Sequence, residues 1–325
     1  MILVTGASGY VGNNLVRRFV RDGLPVRAMV GSVEKAMLRL KDVEPQIEIV
    51  KGDVTRPETL NEWMQGVDTV IHLVAIPMEK GKRTYEAINY QGTVNVVEAA
   101  KRAGVRRFIN MCQNGATADH FSPFLRSKGR AQAYVAASGL DWTAVRPSVI
   151  WGPQDEFANV QARLIQMTPF VFPVVGDGKT PFQPVYVGDV VEAIVRSISD
   201  PSTIGHEYEL GGPEVLTYEQ IVDRVLKALG TSRLKVKVPV VVLRPLVALM
   251  QTVLPNPPVS TTLLDLLADR NVVNDNALVS KFEIEPKPFT PENLAYMRNF
   301  RVGTTLGKFF GRATEEDKVR QRAMA

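Results

Sequence analysis

The run Thr5-Gly6-Ala7-Ser8-Gly9-Tyr10-Val11-Gly12 follows directly on the apolar segment Ile2–Val4. It leads directly into Asn13–Arg21, where Leu15, Val16, Phe19 and Val20 recur with helical spacing. A strand, a glycine turn and a helix in that order leave few folds open to the chain. Gly6 lets the backbone turn sharply as the strand ends. A side chain at Gly9 would block the approach of a pyrophosphate to the backbone, and Gly12 lets the helix sit close to the sheet. The helix start offers N–H groups and the positive end of its dipole, and Ser8 adds a hydroxyl donor. Thr5, Gly6, Ser8, Gly9, Tyr10, Val11 and Gly12 are therefore the first candidate site, a cradle for a dinucleotide.

The alternation continues beyond this turn. Val26–Val30, Ile47–Val50, Thr69–Val74, Arg107–Met111 and Trp142–Arg146 read as strands, with helical segments at Leu60–Met64 and Val94–Ala103. Near-continuous Val/Ile/Leu strands separated by helix-length segments predict a parallel sheet covered on both faces. The fold class expected is α/β, a Rossmann-type doubly wound parallel sheet with a smaller C-terminal α/β lobe. In 325 residues there is room for both. Residues 1–150 are expected to form the dinucleotide-binding domain, with 185–212 returning to it through the strand Val185–Val187 and the helix Val190–Ile198. Residues 151–184 and 213–310 make up the substrate or partner lobe, and 311–325 a loose charged tail. The Pro-rich stretch Pro147–Pro184 reads as loops and short helices over a cleft, and Tyr218–Leu229 as an amphipathic helix stopped at Gly230.

Composition narrows the partners. A net charge of +5, with no zinc-knuckle or RNP-like run, gives no reason to expect nucleic acid. Cys112 is the single cysteine, so no intramolecular disulfide can form; with no signal peptide, a cytoplasmic location is expected. His72, His120 and His206 are scattered, and no metal site is expected. Residues 239–254 are apolar on nearly every side, broken by Arg244 and Pro245, yet shorter than the ~20 residues of a membrane span. They form either a buried core helix or an interfacial helix lying on a membrane surface or a protein partner. Lys235, Lys237, Arg244 and the basic segment Arg298–Arg312 would suit an anionic surface, making the protein peripheral at a membrane.

The spacing G-x-x-G-x-x-G resembles the short-chain dehydrogenase/reductase superfamily, in its extended and atypical, NAD-dependent epimerase/dehydratase-like branches. The resemblance runs along nearly the whole chain, through Gly52-Asp53-Val54, His72-Leu73-Val74-Ala75, Asn89-Tyr90-Gln91-Gly92-Thr93, Arg146-Pro147-Ser148-Val149-Ile150-Trp151-Gly152-Pro153 and Pro184–Val190. It implies that Asp53 and Val54 meet adenine, that Leu73, Val74 and Ala75 line the adenosine pocket, and that Pro147 and Val149 pass the nicotinamide. A plainer role stands beside some of these: Asp53 can cap the turn before Arg56-Pro57, His72 can be packed core, and Asp189 can start a helix. Pro286–Met297 resembles a late helix that closes the family's substrate lobe. Within the superfamily, Phe124-Leu125-Arg126-Ser127-Lys128 and Gln183-Pro184-Val185-Tyr186-Val187 resemble the NADPH-binding accessory subunits of mitochondrial complex I and their bacterial relatives.

Better known members of the superfamily use Tyr-x-x-x-Lys, with the tyrosine as acid/base and the lysine lowering its pKa and holding the nicotinamide ribose. Here Phe124 stands at the tyrosine position and Lys128 remains, and Asn110-Met111-Cys112-Gln113-Asn114 after the fifth strand carries no hydroxyl. Phenylalanine moves no proton. Two outcomes follow: a structural or sensing protein that holds a dinucleotide, or a reductase of a small or quinone-like substrate with Lys128 as proton donor. Lys128 can also do no more than hydrogen-bond the ribose.

An NAD-type site places an acid at the end of the second strand, against the ribose 2′-hydroxyl. Met29-Val30-Gly31-Ser32 has none there, and Glu34 comes later. Ser32, Lys35 and Arg39 can meet a 2′-phosphate, although Lys35 also reads as a plain surface charge and no arginine stands at Gly31. NADP(H) is the expected cofactor, with NAD(H) the alternative.

Overall fold

The glycine turn joins strand β1 (Ile2–Thr5) to helix α1 (Tyr10–Arg21) in the computed structural model, which describes residues 1–300 and Gly307. The tail 311–325 and the basic segment beyond residue 300 lie outside the described residues. The chain continues through β2 (Val26–Val30), α2 (Val33–Leu40), β3 (Glu48–Lys51), β4 (Thr69–His72), α3 (Gly92–Arg102), β5 (Arg107–Met111), α4 (Pro123–Ala136) and β6 (Asp141–Pro147). After β7 (Ile150–Trp151), α5 (Ala158–Met167), β8 (Val171–Val175), β9 (Pro181–Phe182) and β10 (Val185–Tyr186) come α6 (Val187–Ser199) and β11 (His206–Leu210). The last elements are β12 (Leu216–Thr217), α7 (Tyr218–Ala228), β13 (Leu234–Val238), α8 (Val240–Val253), α9 (Thr261–Leu267) and α10 (Ala277–Ser280).

These elements divide into two compact units. The first holds Met1–Pro147, Val187–Leu210 and Asn274–Glu285. Its seven strands run parallel in the order β3-β2-β1-β4-β5-β6-β11. The direction of the strand order reverses between β1 and β4, the position where a doubly wound sheet opens a crevice at its carboxyl edge. α1 packs with α6 and α3 with α4, one pair on each face. Consecutive residues of one strand are thus buried alike: Leu3 and Val4, Val70 and Ile71, Phe108 and Ile109, and Ala144 and Val145 are all fully buried. That is why the strands read as unbroken apolar runs.

The second unit holds Ser148–Tyr186, Gly211–Val273 and 286–300. Its strands form three short pairs, β10 with β7, β13 with β8 and, antiparallel, β12 with β9. Trp151, Phe172, Phe182, Tyr218 and Phe289 fill its core. α7 starts in a reciprocal cap, the Thr217 side chain accepting from the Gln220 N–H while the Gln220 side chain accepts from the Thr217 N–H.

Three details differ from the sequence reading, and one that it left open is decided. Residues 274–285, expected in the second lobe, belong to the first unit, where the Asn274 N–H donates to Glu209 Oε2 at 2.6 Å and Lys281 pairs with Asp200 at 2.9 Å. The stretch Pro147–Pro184 is more regular than its prolines suggest: Pro173 sits in β8, which pairs along one side only, and Pro181 opens the two-residue β9, where its carbonyl still accepts the Asn271 N–H at 3.0 Å. Pro286–Met297 is irregular up to a single 3₁₀ turn, Ala295–Asn299. And α8 is not a core helix. Val247 is its one buried residue, while Val241, Val242, Leu246, Leu249 and Val253 are 81, 61, 55, 61 and 66% exposed.

Candidate functional site

The ends of β1, β2 and β4 meet in register, Thr5 opposite Met29 on one side and His72 on the other. The glycine turn leaves the sheet at this edge. Gly6 has φ +73°, and a β-carbon there would stand 3.2 Å from Val74 and 3.3 Å from the Leu73 backbone, so Leu73 and Val74 form one wall of the turn. A β-carbon at Gly9 would lie 3.0 Å from the Gly6 carbonyl oxygen, and one at Gly12 only 2.3 Å from the same oxygen. No side chain caps α1, whose N-cap residue is Gly9. The N–H groups of Val11 and Gly12 thus have no acceptor within the helix and stand at the positive end of its dipole. Asn13, fully buried, donates to the Gly9 carbonyl at 2.6 Å and the Tyr10 carbonyl at 2.8 Å, fixing the turn from below.

Behind the turn runs a buried hydrogen-bonded chain. Thr93 Oγ1 donates its one proton to the Asn89 carbonyl at 2.7 Å, so at 3.0 Å it accepts from His72 Nε2. His72 Nδ1 then accepts from Thr5 Oγ1 at 2.7 Å. Asn89 continues the chain to Ser127 Oγ at 3.1 Å and also accepts the Ile76 N–H at 2.9 Å. Asn89 lies in a π-helical stretch, Tyr85–Gln91, a wide turn that is rare and frequent at functional sites. Burial, assisted by the charge of Lys128, pushes His72 down to about 3, so the ring is neutral and structural rather than an acid/base.

At the start of α4, Phe124 is nearly buried against the ring of Tyr85, edge-on at 5.7 Å. The Tyr85 hydroxyl is spent on the Pro77 carbonyl at 2.9 Å. Lys128, one turn further along, is 4% exposed and donates Nζ to the Met111 carbonyl at the end of β5, 2.6 Å away. It has no carboxylate partner among the described residues, and burial lowers its pKa from the usual lysine value. Cys112, also buried, has its thiol pushed up by desolvation.

The remaining candidates divide. Asp53 Oδ1 accepts from the Thr55 N–H at 2.9 Å and the Thr55 hydroxyl at 2.8 Å, so that oxygen ties its own turn. Val54 packs under Gly92. Ala75 follows Val74 out of the wall, half-buried. The Pro147 carbonyl accepts the Asn114 N–H at 3.0 Å within the first unit, whereas Val149 belongs to the second, its carbonyl accepting the Val185 N–H at 3.0 Å. Asp189 stands in the first turn of α6. Ser32 caps α2, accepting from the Lys35 N–H at 3.3 Å and donating to Glu34 Oε2 at 2.7 Å; its hydroxyl is engaged by its own helix, and Lys35 points no bond at the turn. The sequence reading gave no role of their own to Asn13, Arg17, Asn89 and Ser127, which the fold buries and bonds to one another's elements.

The family model described as NAD(P)H-binding matches residues 6–168. The chain belongs to this NAD(P)H-binding family. The match starts at Gly6 and ends at Thr168, just past α5. Among curated proteins, the NAD(P)H-binding chain is 28% identical over 326 residues to "NADH dehydrogenase [ubiquinone] 1 alpha subcomplex subunit 9, mitochondrial" of Arabidopsis thaliana, covering 96% of this chain and 80% of that one. It is 27% identical over 270 residues to the 3 beta-hydroxysteroid dehydrogenase/Delta 5-->4-isomerase of Mycobacterium tuberculosis, covering 73% and 71% of the two chains. A nucleoside-diphosphate-sugar epimerase from Staphylococcus aureus shares the fold with a TM-score of 0.72 at 20% identity, over 92% of this chain and 99% of that one. These similarities agree with the extended and atypical short-chain dehydrogenase/reductase resemblance of the sequence.

Proposed function

We propose that the chain binds NADP(H) in its first unit and serves as a dinucleotide-holding structural or sensing subunit with little carbonyl-reductase activity. The observation that carries this is the start of α4, where Phe124 precedes Lys128 by four residues and no nearby phenol takes its place. A bound nicotinamide supplies a hydride; the protein must supply the proton, and Phe124 has none. Losing a positioned proton donor costs on the order of 10²–10⁴ in rate. The uncapped start of α1, with glycine at 6, 9 and 12, fits a pyrophosphate, and Lys128 Nζ fits the ribose hydroxyls. The absence of a carboxylate at Gly31 supports NADP(H). The partner contact is assigned to α8, whose exposed apolar face suits a protein surface or a membrane interface, and the protein is cytoplasmic and peripheral in that assignment.

The test is binding and turnover together. Wild type should bind NADPH, and Gly9→Val should fold yet lose binding. NADPH oxidation against quinones, enones and aldehydes should be slow in wild type. The second reading, a reductase using Lys128, is favoured by that buried amine of lowered pKa. It predicts turnover that Lys128→Ala abolishes and Phe124→Tyr raises. Fast turnover that survives Lys128→Ala would overturn both readings.

A further inference from the structure

We propose that the outer edge of β13 pairs with the same edge of a second copy of this chain, antiparallel about a two-fold axis at Val236. This goes beyond the dinucleotide reading and does not depend on it, since the edge lies wholly in the second unit. β13 has one neighbour, β8, in a parallel two-stranded ribbon. The Leu234 N–H donates to the Phe170 carbonyl at 3.0 Å, and the Gly176 N–H to the Val238 carbonyl at 2.9 Å. Backbone groups alternate along a strand, so those of Leu234, Val236 and Val238 face β8, and the N–H and C=O of Lys235 and Lys237 face the other way. Among the described residues nothing bonds these four outward groups. A row of open backbone donors and acceptors is a template for a further strand.

Both edges of the seven-stranded sheet are guarded: α10 packs with β11, and β3 exposes Glu48 and Lys51. β13 has no such guard. It holds no proline, its register with β8 is unbroken, and its lysines turn inward onto α7. Lys235 Nζ meets Asp223 at 2.8 Å and Glu219 at 2.9 Å, and Lys237 Nζ meets Glu219 at 3.5 Å. The register sets Lys235 beside Phe172 and Lys237 beside Val174, on the face whose β8 residues are buried. It sets Leu234 beside Val171 and Val236 beside Pro173 on the other face, where Leu234 is 67% and Val236 43% exposed. The strand that fits this edge is its own. With Val236 opposite Val236, Lys235 of each copy exchanges N–H and C=O bonds with Lys237 of the other, and every open group on the edge is used. Leu234 then lies opposite Val238, and the apolar face runs on from one copy to the next. The charges allow it: two lysines balance Glu219 and Asp223 in each copy, so the row meets its own image without net repulsion. An acidic partner or an anionic bilayer would call on free cations, and here they are spent.

The experiment uses the full chain. Sedimentation velocity from about 1 to about 100 µM should show a monomer–dimer equilibrium. Lys237→Pro removes an outward N–H and leaves the β8 ladder intact. It deletes half of the bonds between the copies and should weaken dimerisation about tenfold or more. Lys237→Thr keeps the N–H and loses only a partly exposed ion pair, so it should stay within about threefold of wild type. Cys112, the single cysteine, is buried, so an introduced thiol reports alone. Oxidised Val236→Cys should give a disulfide-linked dimer, because facing Cα atoms in a non-hydrogen-bonded antiparallel pair stand about 4.5 Å apart, within disulfide reach. Leu234→Cys, although more exposed, should not, because its counterpart lies roughly 14 Å away across the axis. Should Lys237→Pro fail to fold, the two cysteine variants decide. Protein that stays monomeric throughout, a dimer that Lys237→Pro leaves intact, or cross-linking at Leu234 equal to that at Val236 overturns the proposal. Monomers that bind neutral phosphatidylcholine vesicles and lose that binding in Leu234→Ser would assign the face to a bilayer and overturn it too.

Discussion

A β-carbon at Gly12 would stand 2.3 Å from the Gly6 carbonyl oxygen and 2.9 Å from the Ala7 Cα, all backbone that cannot step aside. At Gly9 the nearest atom is 3.0 Å away, and at Gly31 nothing lies within 4 Å. Three glycines in one region thus answer to different constraints. Gly12→Val should destabilise the first unit by roughly 1–3 kcal/mol, as overpacking does, whereas Gly31→Ala should stay within about 0.5 kcal/mol; urea midpoints separate them. His72 gives a pH signature. Its folded value, about 3, lies below the unfolded 6.5, so the unfolded chain takes up a proton first as pH falls. The contribution of His72 is therefore complete above about pH 6.5 and is lost as pH drops toward 3, with a slope of up to ~1.4 kcal/mol per pH unit. Urea unfolding between pH 7 and 4.5 should show the loss, and His72→Gln should flatten it. An unchanged slope in the variant would mean that other groups carry it.

At the scale of elements, α4 and α8 are opposites. α4 buries Phe124, Leu125, Ser127, Lys128, Ala131, Gln132 and Val135, polar and apolar alike: Ser127 Oγ donates to the Phe124 carbonyl and accepts from Asn89, Lys128 Nζ donates to the Met111 carbonyl, and Gln132 Oε1 accepts from Asn110. α8 is mostly apolar and buries one residue. Replacing Val241, Leu246 and Leu249 with serine should change stability little, within about 0.5 kcal/mol per site. The same triple variant should lose co-sedimentation with anionic vesicles, or co-purification with a protein partner, if α8 is the contact surface. Undiminished association in both assays would clear α8 of that role. No helix among the described residues is long and apolar enough to cross a membrane.

For the whole molecule, the relevant quantity is linkage. A dinucleotide that binds the folded first unit and not the unfolded chain stabilises it by RT ln(1 + [L]/Kd), about 2.7 kcal/mol at a hundredfold excess over Kd. NADPH should then raise the melting temperature in wild type and leave Gly12→Val unmoved. Hydrogen exchange should slow most in Gly6–Asn13, Leu73–Ala75 and the end of α2. Protection confined to 148–186 or 211–273 would place the ligand in the second unit instead. The first unit is assembled from three separated stretches of chain, with Arg107 as one of its fasteners: buried, and donating to Asp141 O, Thr143 Oγ1, Ser197 O and Thr203 Oγ1 between 2.6 and 2.7 Å.

By itself the sequence determined the α/β class, the doubly wound sheet and the glycine turn, because each is written in neighbours: a strand four residues long, a turn that only glycine can make, a helix whose apolar stripe repeats every three or four positions. Family membership was legible for the same reason, through short runs such as Gly6–Gly12 and Phe124–Lys128. Tertiary structure alone decided what depends on distant pairs. The same apolar sequence in α8 fits a core or a surface equally well, and only the supply of partners around it settled the matter in favour of the surface. The return of Asn274–Glu285 to the first unit hangs on Glu209, 65 residues before Asn274, and on Asp200, 81 before Lys281. Ser32 looked available until its own helix claimed the hydroxyl, and Arg39, already a candidate in the sequence, is held at the glycine turn by hydrogen bonds with Arg17 and Ser8 that no local pattern announces. Periodicity reports what a residue must hide, but a hydrogen bond or an ion pair is a choice among all the groups the fold brings near, and that choice exists only once the chain has closed.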